Sequence, residues 1–377
     1  MYSDYDTMRT MLRLAHSPRT FSPTRTLFVD GLVTLATTLG AINRVGEQID
    51  DLLYGDFRKQ PLGSPIYIVA APRSGTTFLH RMMSNDPQFT SLKLYETFFP
   101  TISGHKVASR VATANGKLGS LLGRIRARLD DNYFGAWEGL HDTGLNQEEE
   151  DEALWALAFA TPAIWLVLPF PDEFDHLRFV DRLPREKREQ LVAYYRQCVQ
   201  RHLYTHAGKT LLGKNVLLPG RFEIVTEAVP EARFVHVLRH PYEALPSTLS
   251  LFTIPWQWHS PHIKPDGTEV RALAKLTIDY YRFLHQKTLE SERDGSNRFV
   301  CIQYRDLLKD PAARVFEIYE RFGLQMSEEV RTQLIASAAQ QKKFKSDHQY
   351  SLAQFGLTKD FVYAELKDIF DHYGFER

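Results

Sequence analysis

Arg73, Ser74, Gly75, Thr76 and Thr77 form a run of anion-binding groups within IYIVAAPRSGTTFLH, Ile66 to His80. The β-branched run before them reads as a buried parallel strand and the apolar pattern after them as a helix. A tight turn that delivers a strand into a helix leaves several backbone N–H groups aimed at one spot, where the helix dipole also favours negative charge. Gly75 allows close backbone approach, and the three hydroxyls add donors. Arg73 supplies a permanently charged fork that matches phosphate or sulfate oxygens. The magnesium-dependent nucleotide loop G-x-x-x-x-G-K-[ST] is excluded, because Ala70 stands at its first glycine and Thr76 at its lysine.

A second strand-turn-helix pattern is RFVHVLRHPYEALPSTLSLF, Arg233 to Phe252. Arg239 falls at the C-terminal edge of the strand. Ser247, eight residues on, falls about two turns into the next helix, so both can reach one anion. The spacing alone is weak; it gains weight by following a strand, about 165 residues after the first loop.

Taken together, these segments resemble sulfotransferases that use 3′-phosphoadenosine 5′-phosphosulfate (PAPS), in particular the P-R-S-G-T-T branch that includes the tyrosylprotein and many bacterial enzymes. The resemblance covers roughly Pro65 to Pro311. It implies that Arg73, Ser74, Gly75, Thr76 and Thr77 bind the 5′-phosphosulfate, and that Arg239 and Ser247 grip the 3′-phosphate. LKLYETFFP, Leu92 to Pro100, is similar to the context of a catalytic glutamate in the tyrosylprotein enzymes, which implies that Glu96 is the general base. Lys214 in LLGKNVLLPGRF partly matches a family lysine near the transferring group, although the usual proline is missing. The alternative is a strand-end lysine lying along apolar surface. Arginine cannot readily lose its proton, so the implied role of Arg73 is electrostatic.

The reaction implied is transfer of a sulfuryl group to a hydroxyl, giving a sulfate ester and adenosine 3′,5′-bisphosphate, with no metal. The acceptor is open: aromatic content and zero net charge lean to a small apolar alcohol, phenol or lipid, and a basic stretch keeps an acidic carbohydrate in view. Two other classes compete, a P-loop nucleotide kinase and a non-catalytic nucleotide-binding protein.

The elements needed to position these residues are legible. Strands are expected at Ser64–Ala70, Thr210–Gly213, Phe234–Leu238 and Phe299–Tyr304, and helices at Thr76–Ser84 and Arg185–His206. Asp310-Pro311 opens another helix. Alternating strands and helices give an α/β fold, a three-layer parallel sheet with helices on both faces, binding its nucleotide beyond the strands' carboxyl ends. Residues 1–60 read as an N-terminal helical extension. Residues 61–377 read as the sulfotransferase domain, with acceptor-side helical insertions at about 104–206. Leu27 to Leu53 is an amphipathic helix packed on the core, or a membrane-surface element.

Composition excludes several classes. Lys plus Arg and Asp plus Glu both number 46 in 377 residues, so no global positive field recruits nucleic acid. Cys198 and Cys301 form no zinc or disulfide pattern and point to a reduced, cytoplasmic setting. The 14 histidines show no H-E-x-x-H or comparable cluster, and no run of about 18 uninterrupted apolar residues marks a membrane span.

The remaining segments are less specific. Lys106, Arg110, Lys117, Arg124, Arg126 and Arg128 form a basic stretch, read first as a solvated face. NQEEEDEALW, Asn146 to Trp155, is an acidic helix start from which Glu149 or Glu152 could face the acceptor. Phe98, Phe99, Trp137, Trp155, Trp165, Phe252, Trp256 and Trp258 are candidates for an apolar cleft, with plain core as the alternative. Pro255 to Thr268 is expected to be a covering loop, and the segment after Lys342 is similar to the C-terminal tail of bacterial relatives.

Overall fold

Ile66, Tyr67, Ile68 and Val69 are all fully buried, which is what a strand covered on both faces requires of its sequence. The structure is a computed structural model that describes residues 2–18, 21–117, 148, 150–341 and 350–377. Its five strands are β1 (Ile66–Val69), β2 (Phe89–Thr90), β3 (Thr210–Lys214), β4 (Arg233–Leu238) and β5 (Phe299–Gln303). They lie in the order β2-β3-β1-β4-β5, and every pairing is parallel. The chain leaves central β1 towards the β3 side and later returns to place β4 on the other side. That reversal is the kind of topological switch beside which open α/β sheets bind ligands. Four strands match the expected runs within two residues; the two-residue edge strand β2 is too short to leave a periodic signal.

In chain order the helices are α1 (Tyr5–Ala15), α2 (Pro23–Leu53), α3 (Thr76–Ser84), α4 (Leu94–Phe98), α5 (Ile102–Lys117), α6 (Glu152–Leu157) and α7 (Arg185–Thr205). Then follow α8 (Phe222–Ala228), α9 (Pro241–His259), α10 (Thr268–Asp294), α11 (Tyr304–Lys309), α12 (Pro311–Arg321), α13 (Glu328–Gln341) and α14 (Lys359–Tyr373). Local chemistry sets several boundaries. Ser22 accepts from the Arg25 N–H ahead of Pro23 at the first turn of α2, and Asp310 caps α12 in the same way ahead of Pro311.

The N-terminal helices share the main core. Met11, Leu14, Val29 and Val33 lie in one cluster with Trp165, Trp256 and Phe370. Further along α2, the Asp50 carboxylate accepts from the Ile102 and Ser103 N–H groups at 2.7 and 2.9 Å, capping the start of α5.

Two expectations need correction. Pro255 does not begin a loop: α9 runs through Pro246 and Pro255 to His259, and only residues 260–267 connect it to α10. An interior proline costs a helix about 3 kcal/mol. Burying Trp256, worth about 4–6 kcal/mol at ~25 cal/mol per Å², outweighs that, and its Nε1 donates to the Trp165 carbonyl at 2.7 Å. The aromatic cleft is likewise mostly core. Trp155, Trp165, Phe252 and Trp256 are buried, Phe98 and Phe99 are half-buried, and Trp258 is exposed. Trp137, Arg124, Arg126, Arg128, Glu149 and residues 342–349 lie outside the described residues, as does the side chain of Lys117.

Candidate functional site

The turn between β1 and α3 bends through two left-handed residues, Arg73 at φ 66° and Gly75 at φ 86°. An L-residue held there stores about 1–2 kcal/mol, so Arg73 must be fixed by its neighbours. Arg239, just past β4, donates from Nη1 to the Arg73 carbonyl at 2.7 Å. Thr248 Oγ1 on α9 donates to the Pro72 carbonyl at 3.1 Å. Gly75 is required twice over, because beyond its φ a Cβ would lie 2.4 Å from the Tyr304 ring.

Side chains converge on this turn from three strand ends. Arg73 Nε reaches Ser247 Oγ at 3.4 Å. The Arg239 guanidinium lies 4.9 Å from the centre of the Tyr304 ring and pairs with Glu243 at 3.0 Å. Lys214 ends β3, is buried, and donates from Nζ to Thr77 Oγ1 at 3.1 Å. Burial, and then the adjacent charge of Arg239, pushes the Arg73 guanidinium below its ordinary pKa. Ser74 is buried with its hydroxyl unpaired. Among the described residues no carboxylate forms a salt bridge with Arg73. Crowded cations beside an unpaired hydroxyl at a helix start make a site suited to an anion bearing several oxygens. The structure thus brings together Arg73, Ser74, Gly75, Thr76, Thr77, Lys214, Arg239 and Ser247.

Glu96 is the exception. It is 1% exposed on α4, and its carboxylate accepts the Lys93 N–H at 2.8 Å, facing His202 Nδ1 at 3.4 Å and His105 Nδ1 at 3.9 Å. Burial raises its pKa, but neighbouring His202, the charge of His105 and the Lys93 N–H outweigh this and hold it at about 2. A carboxylate so enclosed and so acidic is a weak proton acceptor.

The acidic run divides its carboxylates in a way the sequence did not disclose. Glu152 does not face an acceptor: Arg221 Nη2 donates to it at 2.6 Å and Asn215 Nδ2 at 3.0 Å. Asp151 is buried and accepts from the Tyr195 hydroxyl at 2.5 Å. Burial raises both carboxyls above their usual range. These two anchor the segment, and residues just before them meet the site. Glu150 Oε1 lies 3.5 Å from Lys214 Nζ, and Glu148 Oε2 lies 3.7 Å from His80 Nδ1. Tyr304 and Thr248 also escaped the sequence reading. The position of Tyr304 as the last residue of an expected strand was the available signal for one; nothing local marked the other.

Comparison with known proteins agrees with this geometry. The group described as "Sulfotransferase family" matches residues 65–328. The omega-hydroxy-beta-dihydromenaquinone-9 sulfotransferases Stf3 of Mycobacterium bovis and Mycobacterium tuberculosis are each 27% identical over 322 residues, covering 83% of this chain and 76% of theirs. The crystal structure of sulfotransferase STF9 from Mycobacterium avium has a TM-score of 0.78 at 19% identity, covering 99% of this chain and 93% of that one. Sulfotransferase STF1 from Mycobacterium tuberculosis H37Rv gives 0.66 at 18%, covering 97% and 92%. At such identities the structural likeness speaks for the fold, a P-loop-like α/β sheet. The family match starts one residue before β1 and takes in the loop, Lys214, Arg239 and Ser247, so the chain belongs to the sulfotransferase family and is an enzyme that transfers sulfate.

Proposed function

We propose that this enzyme takes its sulfuryl group from PAPS and transfers it to the hydroxyl of an apolar, lipid-like acceptor. The observation that carries the donor assignment is the meeting of Arg73, Arg239 and Ser247 at the switch point of the sheet. It supplies cations and donors for a phosphate on each side of the turn, and no lysine or magnesium ligand set of the nucleotide-triphosphate kind.

In the transfer the acceptor oxygen forms a bond to sulfur as the bond from sulfur to the 5′-phosphate oxygen breaks. The electron pair of that bond leaves with the phosphate. Arg73 and the N–H groups opening α3 stabilise the departing charge, and Lys214, poised on Thr77, neutralises the sulfuryl oxygens. The acceptor proton passes to a carboxylate. Glu150, beside Lys214 and part-exposed, is placed for this; Glu96, the residue suggested by the resemblance, is closed off by its histidines.

Two features support a lipid-like acceptor. The named relatives act on a dihydromenaquinone derivative. Leu27, Leu35, Ile42, Val45, Ile49 and Leu52 are exposed along α2, a helix of 31 residues whose length and hydropathy would suit a membrane span although 39% of its most apolar window is buried. The same helix borders the segment around α4, since Asn43 Nδ2 donates to the Phe98 carbonyl at 2.9 Å. Its exposed face offers peripheral contact with a bilayer from which such an acceptor would come. We place the enzyme in the cytoplasm, where a reduced Cys198 and Cys301 are stable.

The test is turnover of PAPS against a panel of long-chain alcohols, phenols and quinols presented in vesicles, alongside acidic sugars. Sulfated lipid with release of adenosine 3′,5′-bisphosphate supports the assignment. Sulfation of sugars alone would overturn the acceptor class, and no transfer to any hydroxyl would overturn the donor role.

A further inference from the structure

We infer that Glu96, His202 and His206 form a binding site for a zinc-class divalent cation, with His105 as a fourth ligand. The inference is independent of the donor assignment. Glu96 lies on α4, His202 in the last turn of α7 and His206 at the residue that ends that helix, and each can bring one ligand atom to within 4.8 Å of the others. Tetrahedral zinc with bonds of about 2.0–2.1 Å sets its ligand atoms about 3.3–3.4 Å apart, so modest side-chain shifts close the site. His202 and His206 stand one helical turn apart, their rings stacked with centroids 4.4 Å apart.

Glu96, His202 and His206 are each already held by a second polar atom, the arrangement that orients metal ligands. His206 Nδ1 donates to the His202 carbonyl at 3.0 Å, leaving Nε2 with its lone pair free. His202 Nε2 lies 3.0 Å from Thr90 Oγ1, while Nδ1 faces Glu96 without a hydrogen bond. Glu96 is fixed through Oε2 by the Lys93 N–H, and Oε1 faces His105 Nδ1. His105 is buried with both ring nitrogens unpaired, a costly state for an imidazole unless something binds there. The donor set of imidazoles and one carboxylate suits zinc or its neighbours, not magnesium or calcium. A cation here would tie α4 and α5 to α7. His206, which is half-buried, gives the route of entry.

The experiment is titration of chelator-treated full-length protein with zinc chloride by calorimetry, and with cobalt chloride by visible absorption, for the wild type, Glu96→Gln and His206→Ala. The wild type is expected to bind one equivalent with a tetrahedral cobalt spectrum and to melt at higher temperature with zinc. Each substitution should weaken binding by more than the roughly 10–100-fold typical of outer-shell partners. Far-ultraviolet circular dichroism and a cooperative thermal transition, read on the same samples without zinc, should persist in both variants and so certify their folding. Absence of zinc binding in the wild type, or equal affinity in folded variants, would overturn the site and leave the cluster as a polar network only.

Discussion

Arg239 Nη1 donates to the backbone carbonyl of Arg73 at 2.7 Å, so the cation at the end of β4 holds in place the left-handed residue that shapes the turn after β1. The two guanidiniums are thereby kept close in spite of their repulsion. An anion between them repairs that imbalance, which makes Arg239 both a ligand and a brace.

Arg239→Ala should therefore cost more than the loss of one contact. A charge-assisted hydrogen bond is worth about 1.5–3 kcal/mol, so affinity for adenosine 3′,5′-bisphosphate should fall by about 10–100-fold. Ser247→Ala should fall less, by about 3–10-fold. Arg73→Ala should keep most of the affinity and lose about 10²–10³ in turnover, as for a group stabilising departing charge. Calorimetry with the bisphosphate beside steady-state turnover separates the three. Unchanged affinity in Arg239→Ala would remove it from the phosphate site.

Gly75→Ala combines a strained φ with a clash on Tyr304. It should destabilise the fold by about 1–3 kcal/mol and weaken bisphosphate binding. Adding Tyr304→Ala should relieve the clash and leave the backbone strain. Thermal melts of the single and double variants check this. A Gly75→Ala protein with normal stability and binding would mean the turn is not held as described.

Glu150→Gln should reduce turnover by about 10²–10⁴-fold with bisphosphate affinity nearly intact, whereas Glu96→Gln should act chiefly on stability. The reverse pattern would return the base to Glu96.

The strands and the anion loop were legible because both obey local rules: apolar runs covered on two faces, and a Ser-Gly-Thr-Thr turn entering a helix. Arg239 and Ser247 were legible because one strand-turn-helix unit carries both. What surrounds Glu96 was not, since His105 and His202 reach it from helices that no local pattern ties together. The acidic run hid its division of labour for the same reason. Asp151 and Glu152 turn inwards only because Tyr195, Asn215 and Arg221 wait there. Pro255 misled because the burial of Trp256, invisible in sequence, outweighs a broken helical hydrogen bond.

Acid should destabilise the fold through buried neutral histidines. Burial, with the Lys214 charge second, pushes His80 down to about 3, and burial with His285 second does the same to His236. A depressed folded pKa contributes stability that is complete above the unfolded value near 6.5 and is lost as pH falls towards about 3. Each such histidine should remove about 1.4 kcal/mol per pH unit across that window. Urea midpoints at about pH 7.5, 6.5 and 5.5, one-unit steps across the histidine range, should fall in order. A flat profile would contradict the burial of these rings.

The most direct test of the central claim is calorimetric titration with adenosine 3′,5′-bisphosphate, adenosine 5′-monophosphate and magnesium-ATP. The arrangement of Arg73, Arg239 and Ser247 predicts clear preference for the bisphosphate, and loss of that preference in Arg239→Ala. Preference for magnesium-ATP, or equal affinity for the monophosphate, would contradict a 3′-phosphate pocket at the end of β4 and with it the use of PAPS.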